Sequence, residues 1–178
     1  MFKILVALLF VQVTLLACPF DEEKVEVTIV AYKSISNALN DDDYLKVMQE
    51  IEKQKKLYTY FEKSTDIALY KELLDATKKK KKKKVEKLLN LSLVLEINEL
   101  LAQVDENFYK YQKARLLLIK TKKHLKVLTK KREPMKYVKK TLKSIGNPGM
   151  MGVGKREADK SVFDTFRAKL ESYLTKSI

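Results

Sequence analysis

The sequence predicts an all-α protein, a helical bundle of about six to seven helices with an amphipathic C-terminal helix. The 178-residue chain has only four Gly and three Pro, and this scarcity disfavours a β-sandwich, which needs many turns. Apolar residues make up 46% and charged residues 34%, a balance typical of a globular domain rather than of a disordered chain. Apolar side chains also recur three and four positions apart, the spacing of one helix face.

Three helices are predicted in the first part of the chain. Residues 25–39 begin with alternating valines, as a strand would, but they also follow helical spacing. The residues at that spacing are Val27, Ala31, Ile35 and Ala38. The acidic segment 40–43 ends this helix and supplies an N-cap for a second helix over 44–62. A further stop at 63–66 precedes a third helix over 66–77.

The most apolar part of the mature chain follows a run of seven lysines at 78–84. We interpret that run as a loop or a frayed helix end. Residues 85–102 are predicted to form a central, mostly buried helix, because its polar side chains form only one narrow stripe. The stripe consists of Ser92, Glu96, Glu99 and Gln103. Leu93 and Ile97 are expected in the core.

The clearest periodicity runs from 104 to 128, where steps of three and four residues indicate a bundle helix. It relates Val104, Phe108, Tyr111, Ala114, Leu118, Thr121, Leu125 and Leu128. Leu118 is expected to be buried, and Asp105 is expected to cap or bend the chain. Pro134 is predicted to lie in the first turn of another helix, which reaches Ile145.

The remaining segments complete the predicted domain organisation. All four glycines fall within 146–158, which we predict to be a loop. Residues 18–145 before it are predicted to form the bundle. Residues 159–178 after it are predicted to form a C-terminal helix that packs on the bundle and is capped by Asp159 or Ser161. The apolar face of that helix consists of Phe163, Phe166, Leu170 and Tyr173.

Residues 1–17 have the pattern of an export signal. Lys3 provides a positive charge, and the apolar segment 4–16 is interrupted only by Gln12 and Thr14. This segment is shorter than the about 20 residues that a membrane-spanning helix needs, and a small residue follows it. We therefore predict a secretory signal peptide.

The sequence Leu15-Leu16-Ala17-Cys18 resembles the lipobox of bacterial lipoproteins. In that family the signal is removed before the cysteine, whose thiol and new amino group are then acylated. The resemblance implies that Cys18, the only cysteine of the chain, is the lipid-anchored mature N-terminus. It implies a location in the cell envelope, facing the periplasm or the exterior. Pro19 differs from the Asp that retains some lipoproteins at the inner membrane, which favours the outer membrane.

Basic residues are concentrated in the second half of the chain. Residues 18–77 carry 8 basic and 13 acidic side chains, whereas residues 78–178 carry 28 basic and 10 acidic. The window 110–143 alone has 14 basic residues and one acid, Glu133. Charge repulsion at this density is unfavourable unless anions offset it, so the window is either a solvated surface or an anion-binding face. The lysines assigned to that face are Lys113, Lys120, Lys123, Lys130, Lys136, Lys139 and Lys143.

Motifs for catalysis and metal binding are weak in this sequence. The segment 149–156 looks like a Walker A loop, but Arg156 replaces the Ser or Thr that binds Mg²⁺. His124, the single histidine, lies among lysines, and we interpret it as a surface or boundary residue. Glu96 and Glu99 lack the Glu-x-x-His partners of carboxylate metal bundles. We predict no catalytic residue, no metal site and no cofactor.

The sequence supports two functional hypotheses. The first is a non-enzymatic, lipid-anchored envelope protein whose basic face binds anionic lipid, a cell-wall polymer or an acidic protein. The alternative is a periplasmic helical-bundle carrier of a small ligand or a metal, held in a cavity between helices. Nucleic acid is not an expected partner, because export separates the protein from it. An enclosed cavity would favour the carrier, and a solid core with a basic face would favour the binding protein.

Overall fold

The computed structural model describes residues 26–149 and 154–176. The predicted signal peptide and Cys18 lie outside these ranges. Within them the chain forms eight α-helices, which confirms the all-α prediction. No described helix combines the length and the hydrophobicity that crossing a bilayer requires. The helices are α1 (Val27–Asn40), α2 (Tyr44–Lys53), α3 (Lys55–Phe61), α4 (Leu69–Lys78), α5 (Lys82–Glu106), α6 (Tyr111–Leu128), α7 (Arg132–Ser144) and α8 (Lys160–Thr175).

The predicted second helix over 44–62 is divided in two, and Gln54 lies at the break between α2 and α3. The buried residues on either side of the break are Ile51 and Tyr58. A continuous helix would need an apolar residue midway between them, and Gln54 and Lys55 stand there instead. Packing therefore does not hold the two segments in one helix.

Helix α5 is the longest described element, and it contributes to two hydrophobic cores. Its 25 residues correspond to a length of about 37 Å. Its first half packs with α1–α4 in the first core, and its second half packs with α6, α7 and α8 in the second core. Leu93 and Ile97 are fully buried, as predicted. The described members of the two cores, with the side chains packed against them, lie between Tyr32 and Leu174.

The predicted helix over 104–128 is wrong at its start, because α5 continues to Glu106 and α6 begins only at Tyr111. Asn107 ends α5, and its side-chain amide donates a hydrogen bond to the carbonyl of Gln103 at 2.8 Å. The rest of the predicted seam is confirmed. Its fully buried members are Ala114, Leu118, Thr121 and Leu125.

Asp105 has a different role from the predicted cap or bend, since it fixes α8 to α5. Its carboxylate lies 2.8 Å from Nζ of Lys160 and 2.6 Å from Nη1 of Arg167. The hydrogen bond from Lys160 is the main reason why the pKa of Asp105 is lowered. Phe163 and Leu170 of the same helix are buried in the second core. Helix α8 is therefore held by an apolar face and by a charged contact.

Two turns that each contain a residue with positive φ lie next to each other at the C-terminal end of α1. Asp42 follows α1 and Lys80 follows α4, and their φ angles are 53° and 49°. In each turn the next backbone N–H donates a 2.9 Å hydrogen bond to a carbonyl of the preceding helix. The pairs are Asp43 with Ala38 and Lys81 with Ala76.

The two turns carry opposite charge. Nζ of Lys82 lies 3.6 Å from the Asp42 carboxylate. The Tyr44 hydroxyl donates to the carbonyl of Lys80 at 3.5 Å. The lysine run 78–84 thus spans the end of α4, a tight turn and the start of α5, where acidic residues of the α1–α2 turn offset part of its charge.

The glycine segment between α7 and α8 is closed at its base. Asn147 and Arg156 exchange two backbone hydrogen bonds of 2.8 Å. Gly146 has a φ of 78°, and a Cβ there would lie 2.7 Å from the Arg156 carbonyl oxygen, so glycine is required. Residues 150–153 are outside the described ranges. Asp159 caps α8, as predicted, by accepting a 2.9 Å hydrogen bond from a backbone N–H of the first turn.

Candidate functional site

A groove with a strongly cationic lining lies where α6 ends and α7 begins. We call it the basic groove, and its volume is about 630 Å³. Six of the eight described residues that line it are lysine or arginine, and none is acidic. The lining consists of Lys126, Thr129, Lys130, Lys131, Arg132, Met135, Lys136 and Lys139.

Thr129 shapes the link between the two helices that form the basic groove. Its backbone is extended, with φ −151° and ψ 144°, so the chain leaves α6 abruptly. Its hydroxyl accepts a hydrogen bond from the N–H of Lys131 at 3.1 Å and shares another of 3.1 Å with the hydroxyl of Tyr173 on α8. The ammonium of Lys131 lies 6.0 Å from the centre of the Tyr173 ring. Tyr173 of α8 therefore contacts two residues of the linker between α6 and α7.

The structure brings together only some of the lysines assigned to the anion-binding face. Lys130, Lys136 and Lys139 line the basic groove. Lys113 is exposed, but it precedes Lys126 by 13 residues of α6, or about 20 Å along the helix. The other three predicted lysines also lie outside the basic groove: Lys120, Lys123 and Lys143.

Three cations of the basic groove are absent from the predicted set. Lys126, Lys131 and Arg132 belong to a contiguous basic stretch around the helix junction. The signal was present as local charge density: Lys126 is in the last turn of α6, Lys131 is in the linker and Arg132 begins α7. An extended linker directs neighbouring side chains to positions that helical periodicity does not describe.

A second groove lies between α1 and α6, and its lining combines apolar and charged side chains. We call it the amphipathic groove, and its volume is about 390 Å³. It is lined by Glu26, Ile29, Val30, Lys33, Lys123, Lys126 and Val127. Lys123, one of the predicted lysines, lies 3.8 Å from the Glu26 carboxylate. Lys126 lines both grooves, so the two surfaces are continuous.

The groove between α7 and α8 has mixed charge. Its volume is about 590 Å³, and its lining includes Glu133 as well as Lys169 and Lys176. Glu133 is the single acid of the window 110–143, and it accepts a hydrogen bond from the Tyr137 hydroxyl at 2.5 Å on this side of α7. Its carboxylate is therefore directed away from the basic groove, which keeps its concentrated positive charge.

His124 is buried, so its interpretation as a surface or boundary residue is wrong. Only 1% of it is exposed. Its Nδ1 lies 3.0 Å from the carbonyl oxygen of Lys120, which can only accept, so Nδ1 carries the proton. Its Nε2 lies 3.7 Å from Glu26 and has no hydrogen-bond partner among the described residues. His124 therefore lies on the buried side of α6 with the seam residues, although three of the residues near it in sequence are lysines.

Helices α1, α5 and α6 meet at this histidine. The hydroxyl of Thr28 donates to the carboxylate of Glu96 at 3.2 Å, and that carboxylate interacts electrostatically with His124. Glu99, one turn further along α5, accepts hydrogen bonds from the Tyr60 hydroxyl at 2.7 Å and from the Gln103 amide at 3.2 Å. In the part of the chain that the structure describes, no three metal-ligating side chains come together. The hydrogen bond between Thr28 and Glu96 connects α1 to α5.

A Walker A loop follows a strand and leads directly into a helix, and the segment that looks like one has neither neighbour. Helix α7 precedes it, and α8 starts four residues after Arg156. The backbone pairing of Arg156 with Asn147 closes this segment instead. Residues 150–153 at its centre are not among those described.

Comparison of the chain with protein-family models, curated proteins and solved structures finds no match. A functional proposal consequently depends on the chain's own residues, above all on the basic groove.

Proposed function

We propose that this protein is an exported, lipid-anchored helical protein of the cell envelope that binds an anionic partner through the basic groove. The binding is non-enzymatic, and the anchor is an acylated Cys18. The carrier alternative needs an enclosed site, whereas both the basic groove and the amphipathic groove are open to solvent.

The observation that supports this proposal is the charge of the basic groove. Six cations line one concave surface, and the nearest acid in sequence, Glu133, is bound to Tyr137 on the side of α7 that faces α8. Lysines scattered over a helix surface are largely screened, but cations that converge on one concavity raise the local potential and concentrate anions. Lys136 and Lys139 lie on one face of α7, so one polyanion can contact both.

Sedimentation with anionic vesicles tests the proposed binding. The chain beginning at residue 18 and carrying Cys18→Ser keeps both cores and lacks the acylation site. We expect it to sediment with vesicles rich in phosphatidylglycerol, and not with phosphatidylcholine alone. Binding should weaken between about 0.1 M and about 1 M salt, because the screening length falls from about 10 Å to about 3 Å.

A pair of matched variants separates the basic groove from general positive charge. The first replaces Lys126, Lys130, Lys136 and Lys139 by Gln. The control replaces four exposed lysines of the run 78–84 by Gln, namely Lys78, Lys79, Lys81 and Lys83. We expect a several-fold loss of binding in the first and a much smaller loss in the control, with unchanged helix content in both. Equal losses, or no sedimentation of the unmodified sequence at low salt, would overturn the proposal.

A further inference from the structure

Exposed apolar side chains lie beside the continuous surface of the two grooves. Val27 and Val30 in the first turn of α1 are 51% and 48% exposed. They are three residues apart and share one face of the helix. Lys33, Lys123 and Lys126 line the amphipathic groove together with Val30. Apolar side chains surrounded by lysines are typical of surfaces that rest in the headgroup region of a bilayer.

The predicted anchor lies close to this surface in the chain. Cys18 precedes Glu26 by eight residues, which span at most about 28 Å even when fully extended. Acyl chains on Cys18 would therefore hold the start of α1 within that distance of the membrane. The turns at Asp42 and Lys80 are at the other end of α1, whose 14 residues extend about 21 Å.

The charge of this surface complements a phosphate-rich bilayer. Glu26 is the single acid among the described residues that line either groove, and its carboxylate is near Lys123 at 3.8 Å and near His124 at 3.7 Å. The cations of the basic groove remain available for headgroup phosphates. A tether makes this contact intramolecular, so contacts that are individually weak can hold the orientation.

We propose that the anchored protein lies with this surface against an anionic bilayer. Val27 and Val30 enter the headgroup region, and the lysines of both grooves bind lipid phosphates. We call this the membrane-facing surface. The inference rests on the proposed function, because the acyl anchor and the basic groove are parts of it.

Depth measurements on the acylated full chain test the orientation. Because acylation occupies the only native cysteine, Val30→Cys introduces a single free thiol for a fluorophore. Leu45→Cys is the control, since Leu45 is 66% exposed on α2 beside the distant Asp42 turn. In vesicles rich in phosphatidylglycerol that also contain nitroxide-labelled lipid, we expect the label at residue 30 to be quenched several-fold more than the label at residue 45. Replacing Lys126, Lys130, Lys136 and Lys139 by Gln should reduce this difference.

A second measurement does not depend on the anchor or on a label. Val30→Asp in the unacylated chain keeps every groove lysine but opposes entry into the headgroup region, so we expect a several-fold loss of vesicle sedimentation. Leu45→Asp should bind as the unmodified sequence does. Equal quenching at residues 30 and 45, or no loss with Val30→Asp, would overturn the orientation. If sedimentation still required the groove lysines, the proposed function would stand, and an acidic protein or polymer would be the better occupant of the amphipathic groove.

Discussion

Glu96 is a half-buried carboxylate whose protonation depends on residues of three helices. Burial is the main cause that raises its pKa, and the negative charges of Glu99 and Glu26 act in the same direction. The electrostatic interaction with His124 and the hydrogen bond from Thr28 oppose this effect. The folded protein therefore holds a proton on Glu96 more tightly than the unfolded chain does.

The raised pKa predicts a specific pH dependence of stability. The stabilising contribution of protonated Glu96 is complete below the ordinary pKa of a glutamate, and it is lost as the pH rises through the raised value. Glu96→Gln cannot ionise, so its melting temperature should improve relative to the unmodified protein as the pH rises from about 4 to about 8. The exposed Glu106→Gln on the same helix is the control. A difference that does not vary with pH would contradict the assigned cause.

The surroundings of His124 could not be predicted from its position in the chain. Its neighbours along the chain are lysines, and that composition suggests an exposed side chain. The seam residues Thr121 and Leu125 lie on either side of it, and Glu26, just before α1, lies 3.7 Å from its Nε2. Burial of a residue at the edge of a helix face depends on what packs there, and that is a tertiary property.

At the scale of elements, the turn after α4 contains a lysine in a left-handed conformation. Because of its Cβ, a non-glycine residue at a φ of 49° costs about 1 kcal/mol. Lys80→Gly should therefore raise the free energy of unfolding by about that amount. Lys79→Gly removes the same charge at a φ of −84° and should not stabilise. Denaturant titrations of both variants measure this difference, and equal effects would show that charge rather than backbone conformation decides it.

The seam of α6 provides a test of core packing. Leu118 is fully buried in the second core, so Leu118→Ala should lower the free energy of unfolding by about 2–5 kcal/mol. Leu116, two residues earlier, is 38% exposed, and Leu116→Ala should cost much less. Thermal melts of the two variants provide the comparison. Similar melting temperatures would mean that the seam is assigned to the wrong face.

Helix positions were largely predictable, whereas helix ends were less so. Asp43 and Asp159 cap helices as predicted because a cap is a local hydrogen bond. The break at Gln54 was missed although the apolar spacing lapses there, and the end of α5 at Glu106 was missed because the spacing continues from Val104 to Phe108. Such spacing indicates which residues share a face, but it does not indicate whether the backbone between them stays helical.

At the scale of the whole molecule, the lipobox resemblance makes a prediction about Cys18. We expect the protein purified from membranes to begin at Cys18 and to be heavier than its polypeptide by the mass of its acyl chains. Cys18→Ser should remain unprocessed or be released from the membrane. Intact mass spectrometry measures both. A mature chain that starts at or after residue 18 without added mass would exclude the anchor.

The basic groove was predictable only in part. Charge counting located it within residues 110–143, and three of its cations were among the predicted lysines. The amphipathic groove could not be predicted, since it needs α1 to lie against α6, two helices that are distant in sequence. Periodicity assigns each helix a buried face, but it does not determine which helices become neighbours.

The position of α5 also affects how this molecule unfolds. Val85 and Leu89 belong to one core and Ile97 and Leu101 to the other, and a single uninterrupted helix connects them. When either core opens, the half of α5 that it held loses its packing, and fraying can then spread along the helix into the other core. Amide protons over the middle of α5 should thus exchange slowest and together, as one cooperative unit, although few other contacts connect the two cores.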